Sequence, residues 1–101
     1  MLRIIWRFRA KSARVNEFLR NYGGDGAWVK LFERSEGYRG SVLLQDTSDP
    51  LVFVVIDGWA RSDSFQLFRQ QFGPDYEQLD RQCLELTEEE ALIGHFRDKP
   101  V

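Results

Sequence analysis

Few side chains in this sequence have the chemistry of catalysis, and they are scattered. His95 is the sole histidine. An imidazole titrates near neutrality and could give or take a proton. With no cysteine beside it and no HxxxH or HxxE spacing it makes a poor metal ligand. It alternates with Phe96 near the end of the chain's last strand pattern, so a structural or solvent-facing role is the plainer alternative. Cys83 falls on an apolar helical stripe with Asp80 and Glu85 nearby. A reactive thiolate needs an electropositive, partly exposed setting, so Cys83 reads as core. Gly23-Gly24-Asp25-Gly26 could offer backbone N–H groups to an anion. It follows a helix rather than a strand and lacks the GK[ST] signature, so it reads as a helix break. The acidic run from Glu85 to Glu90 lacks the alternating Asp/Asn ligands and the glycine of a calcium loop. It reads as a solvated helix end, with Thr87 and Glu90 at capping-box spacing. No metal site is expected.

The aromatic residues say more. They make up 14% of the chain, and Trp6, Trp28, Trp59, Phe53, Phe65 and Phe68 are spread over segments that should face one another. Such a set can fill a core, or line an apolar cavity for a flat ring. Trp59 stands where a strand ends, just before the Ser62 helix start, and strand ends commonly border a pocket mouth. Both roles stay open for it.

The elements that must position these residues follow from periodicity. Leu2 to Arg9 alternates with period two, with Leu2, Ile4, Trp6 and Phe8 on one side. Ser12 can cap a helix in which Val15, Phe18, Leu19 and Tyr22 recur at helical spacing. The glycine segment breaks that helix, Trp28, Leu31 and Phe32 resume it, and Gly37 ends it. Tyr38 to Asp46 and Leu51 to Trp59 read as a hairpin around Thr47-Ser48-Asp49-Pro50. The centre of the second of these strands, Leu51 to Ile56, is apolar on both faces, so both must be covered. Helices of the same chain can cover one. In a 101-residue chain a second copy is the economical cover for the other. Ser62-Asp63-Ser64 opens a helix carrying Phe65, Phe68 and Phe72, Gly73-Pro74 interrupts it, and Tyr76, Leu79, Cys83 and Leu86 continue at helical spacing. Ala91 to Arg97 is a last short strand. The order βαββαβ is the ferredoxin-like, split βαβ arrangement: an α+β fold with an antiparallel sheet and helices on one face. Residues 1–101 read as a single domain of this kind.

Composition narrows the partners. Fourteen basic and sixteen acidic residues leave a formal charge of −2, which gives no electrostatic reason to expect nucleic acid or an anionic membrane surface. No apolar run approaches the roughly 20 residues of a membrane span. The arginines among Met1 to Arg9 interrupt anything resembling a secretory leader. One cysteine allows no internal disulfide, so a reducing, cytoplasmic setting is expected.

Several segments together resemble a known family. Arg7-Phe8-Arg9-Ala10-Lys11 leads into a helix containing Glu17-Phe18-Leu19, Gly40-Ser41 opens a strand, and Trp59-Ala60-Arg61-Ser62-Asp63-Ser64-Phe65 joins a strand to a helix. Over nearly the whole chain the sequence resembles the antibiotic-biosynthesis monooxygenase family of the dimeric α+β barrel superfamily. The resemblance implies a homodimer whose sheets face each other, with an apolar cavity between sheet and helices. Some members oxidise polyketide or quinone-like aromatics with dioxygen and no cofactor, and some degrade haem. Members often carry a His about ten residues after the tryptophan, where Phe68 and Arg69 stand here, and the haem-degrading branch uses an Asn in the first strand, which this chain lacks.

The expected function is therefore a cofactor-independent monooxygenase acting on a small aromatic or quinone-like compound, with Trp59, Phe65 and Phe68 lining its cavity. His95 would move protons if it faces that cavity. The rival is a non-catalytic dimeric module that binds a small ligand or supports a partner. A buried polar side chain at the ligand space would separate the two.

Overall fold

The computed structural model describes residues 1–101. Strand β1 (Leu2–Ala10) leads through a tight turn at Ser12–Arg14 into α1 (Val15–Tyr22) and α2 (Ala27–Phe32). Hairpin strands β2 (Tyr38–Gln45) and β3 (Val52–Trp59) follow, then the long α3 (Ser64–Cys83), a turn at Leu84–Leu86 and β4 (Thr87–Arg97). The four strands form one antiparallel sheet in the order β2-β3-β1-β4. This is the ferredoxin-like α+β fold read from the element order.

Period two decides which side of each strand is buried. Ile4 and Phe8 of β1, opposite Asp57 and Phe53 of β3, face the helices. Phe18 and Tyr22 of α1, Trp28, Leu31 and Phe32 of α2, and Phe68 of α3 close over them. The aromatic rings touch in a continuous chain, from Phe8 on Phe18 through Tyr22, Trp28 and Phe32 to Trp59 and Phe68. The break between α1 and α2 is glycine's doing: a Cβ on Gly26 would collide with the carbonyl oxygens of Arg20 and Asn21. Gly73-Pro74 does not end α3. It leaves a kink, with Phe72 out of helical geometry at φ −120°, ψ 25°.

Two local readings are corrected. Ser12 opens the short turn and makes no cap; Arg14 is the residue before α1. The acidic run is no helix end. Thr87 pairs with Ala10, Glu89 with Arg9 and Glu90 with Phe8, so β4 begins four residues earlier than Ala91. Ion pairs of Arg7 with Glu89 (3.4 Å) and Arg9 with Glu88 (3.6 Å) give the acids cross-strand partners that local propensity does not register.

Candidate active site

A cavity opens between the sheet and the helices. Trp6 and Phe8 of β1 and Val55 of β3 form its floor; Tyr22, Trp28, Phe32, Phe65 and Tyr76 form its aromatic walls. Asp57 and Ser41 give it polar wall, and Asp80 and Glu90 add two further carboxyls. No Lys, Arg or His lines it. The room it offers the centre of a water molecule is about 40 Å³, enough for roughly three waters. A two-ring ligand would need the walls to part.

Asp57 is the residue that the sequence reading missed. It lies on β3 between Ile4 of β1 and Ser41 of β2, only 7% exposed. A signal was there: Asp57 is the lone charge in Val52–Trp59 and shares the parity of Phe53, Val55 and Trp59, which all point inward. Burial pushes its carboxyl up to about 6, although a hydrogen bond from Ser41 holds it partly down. Ser41 Oγ donates to Asp57 Oδ1 at 2.5 Å, and the Tyr38 hydroxyl lies 2.5 Å from Ser41 Oγ. The single Ser41 proton is engaged with Asp57, so Tyr38 donates to Ser41.

A β-bulge makes this possible. Tyr38 pairs with Trp59 and Ser41 with Asp57, so Arg39 and Gly40 together stand opposite Gly58. Residues three apart would otherwise point to opposite faces. Gly40, at φ +96°, takes the left-handed backbone that absorbs the extra residue.

The acidic pair is set differently. Glu90 is exposed overall, yet partial burial, with the Asp80 charge adding to it, raises its carboxyl above the usual range. Burial also raises the Tyr76 phenol, against the nearby Arg69 cation, whose guanidinium carbon sits 4.1 Å from the centre of the Tyr76 ring. The Tyr22 phenol and Cys83 thiol, both buried, are raised for the same first reason.

The residues named from sequence fall in three places. Phe65 lines the cavity. Trp59 and Phe68, both at 0% exposure, stand behind that wall rather than on it, packed against Phe32 at 5.3 and 5.1 Å between ring centres. The indole N–H of Trp59 is buried and has no acceptor, as has that of Trp28, which does line the cavity. His95 pairs with Ile4 at the exposed edge strand β4 and is not among the lining residues. Cys83 is 2% exposed, in the core. Nowhere do three His, Cys, Asp or Glu side chains gather as a metal site would need.

The chain has the ferredoxin-like fold seen in antibiotic biosynthesis monooxygenases of solved structure. SnoaB, a cofactor-independent oxygenase from Streptomyces nogalater, superimposes with a TM-score of 0.71 at 20% identity, covering 99% of this chain and 94% of that one. An antibiotic biosynthesis monooxygenase does so with 0.70 at 16% identity, over 99% and 100% of the two chains. Rv0793 from Mycobacterium tuberculosis gives 0.76 at 15% identity, over 99% and 96%. At these identities the likeness establishes the fold alone. No protein-family model matches the sequence, and neither does any curated protein.

Proposed function

We propose that this protein is a cofactor-independent oxygenase of a small ionisable aromatic, of the phenol, hydroquinone or anthrone kind. The observation that carries the reading is Asp57, a buried carboxyl on the wall of an aromatic cavity, in a fold shared with an oxygenase of that type. In such a reaction an anthrone's ring CH2, or a phenol's ring C–H together with its hydroxyl hydrogen, reacts with dioxygen to leave a quinone-type carbonyl and one water, and the substrate supplies all four electrons. The protein must take a proton from the substrate and keep the resulting anion away from water. Asp57 is suited to the first task, because a carboxyl near 6 is ionised at neutral pH yet basic enough to accept a proton. Once protonated it is neutral, so the substrate anion meets no adjacent negative charge at that wall. Trp6, Trp28, Phe65 and Tyr76 suit the second task.

The working unit we propose is a homodimer joined through the sheet face that the helices leave bare, where Val42, Leu44 and Phe96 are each nearly half exposed. An interface of that obligate kind would bury about 2,000 Å² or more. We place it in the cytoplasm, on the strength of a single unpaired cysteine. No helix is long and apolar enough to cross a membrane.

One observation favours the alternative, a non-catalytic dimeric module that binds a small ligand or supports a partner: the small cavity leaves the core nearly filled. Oxygen uptake on a panel of hydroquinones and anthrones separates the two. Wild type should consume oxygen, with a rate that rises with pH through about 6 as Asp57 ionises. Asp57→Asn should lose roughly a hundredfold or more. No uptake and no binding by wild type across the panel would leave the module.

A further inference from the structure

A proton that lands on Asp57 has to leave again. The carboxyl is 7% exposed, and the hydrogen bond made by its side chain is with Ser41. Tyr76, Asp80 and Glu90 line the same cavity, but none of them is hydrogen-bonded to Asp57. From Ser41 the chain continues to Tyr38, which begins β2, an edge strand of the sheet, and is only half-buried. Tyr38 does not line the cavity.

We propose that Ser41 and Tyr38 carry the proton taken by Asp57 from the cavity to the edge of the sheet. The inference rests on the reading of Asp57 as the base. With Asp57 ionised, both hydrogen bonds point inward: Tyr38 donates to Ser41, and Ser41 to Asp57. When Asp57 has taken a proton the chain reverses. Asp57 passes its proton to Ser41 Oγ, Ser41 passes its own to the Tyr38 oxygen, and Tyr38 releases its own to water. Each oxygen gains one proton and loses one, and nothing is oxidised or reduced.

The backbone is shaped for this contact. Without the extra residue at Arg39–Gly40, Ser41 would face away from the helices while Tyr38 faced them. The bulge brings both to the side of Asp57, and it depends on a left-handed Gly40 that a side chain would strain. Tyr38 and Ser41 are thus positioning residues that act through Asp57; Ser41 stands on the cavity wall and Tyr38 behind it, off the ligand space.

The test uses the full chain and two readouts. The first is the titration of the Asp57 carboxyl, followed by carbon-detected NMR. Ser41→Ala should shift it up by about one unit, the size of a lost hydrogen bond to a charged group. Tyr38→Phe keeps the ring packing and removes only the hydroxyl. It should shift Asp57 in the same direction by a few tenths of a unit, because the outer bond polarises the inner one. Ser41→Thr, which keeps the hydroxyl, should restore the wild-type value. The second readout is turnover on the hydroquinone and anthrone panel. Tyr38→Phe should lower kcat about tenfold and leave KM alone, since no ligand contact is lost. An Asp57 titration in Tyr38→Phe identical to wild type would overturn the relay, and so would an unchanged kcat. If wild type consumes no oxygen, the oxygenase reading fails, and the titration still decides whether Tyr38 is coupled to Asp57.

Discussion

Along β3 the two faces of the sheet alternate residue by residue. Phe53, Val55, Asp57 and Trp59 point under the helices and are buried. Val54 and Ile56 point away and are only half-buried, because no helix lies over them. Along β3 the inner face has aromatic cover and one charge, Asp57. The outer face is split. Over β2 and β3 it is apolar, with Val42 at 49% and Leu44 at 47% exposure. Over β1 it carries Arg3, Arg7 and Arg9, paired to Asp98, Glu89 and Asp49 at the surface. The lesson is that one strand meets two solvents. A charge on the inner side is held by a hydrogen-bonded chain at a cost in stability, whereas charges on the outer side are solvated and cost little. An apolar patch on the outer side is the kind of surface that suits a partner.

Three experiments would break or sharpen that contrast. The largest effect belongs to the outer face. Val54→Asp puts a carboxylate in the middle of the proposed interface, next to its own strand neighbours Arg7 and Leu44. The single chain should tolerate it, because Arg7 is at hand, whereas the dimer should not. Sedimentation at micromolar concentration should give twice the chain mass for wild type and the chain mass for the variant. A wild-type monomer, or a variant that still dimerises, would remove the outer face from the account.

Next in size is the inner wall. Trp59→Ala empties a fully buried site packed on Phe32, Tyr38, Phe65 and Phe68, and should cost about 3–5 kcal/mol in chemical denaturation. Trp59→Phe should cost much less, since the lost N–H has no acceptor. It should also leave ring-ligand binding nearly unchanged, because Trp59 stands behind the cavity wall. A sharp loss of binding in Trp59→Phe would put the indole back on the ligand.

The smallest effect has an unusual sign. The folded Asp57 carboxyl sits near 6, against 3.8 as the ordinary value. A raised carboxyl favours the folded state while it is protonated, so the protein should lose stability as pH rises from about 4 through about 6. Asp57→Asn removes that loss. It should stabilise the fold by up to about 3 kcal/mol above pH 7 and have little effect below pH 4. A variant that is more stable and less active at neutral pH would mark Asp57 as a group kept at the expense of the fold. A destabilised Asp57→Asn at high pH would show instead that the carboxylate is structural.

Much of this architecture was legible from local pattern. Period two in Leu2 to Arg9, helical spacing through Phe18 and Tyr22, and the paired β2–β3 segments are consequences of side-chain direction, which depends on neighbours a few residues away. The order of those elements then leaves few topologies, and the ferredoxin-like sheet is one of them. The aromatic content pointed to a ring-lined interior for the same local reason.

What local pattern could not decide were matters settled between strands and between layers. Glu88, Glu89 and Glu90 carry helix-favouring side chains, yet they lie in β4, held in the ladder with β1, where Arg7 and Arg9 pair with two of them. Trp59 ends its strand beside a helix start, as a pocket residue does, yet Phe65 of α3 takes the place on the wall and Trp59 packs behind it. Asp57, Ser41 and Tyr38 lie up to 19 positions apart in sequence and meet through one strand pairing and one bulge. The types and spacings of residues determined which elements would form and which faces would be apolar, since those depend on short-range geometry. Only the tertiary structure decided which polar groups would share the enclosed space, because burial, and the carboxyl chemistry that follows from it, exists only once distant strands and helices have closed around them.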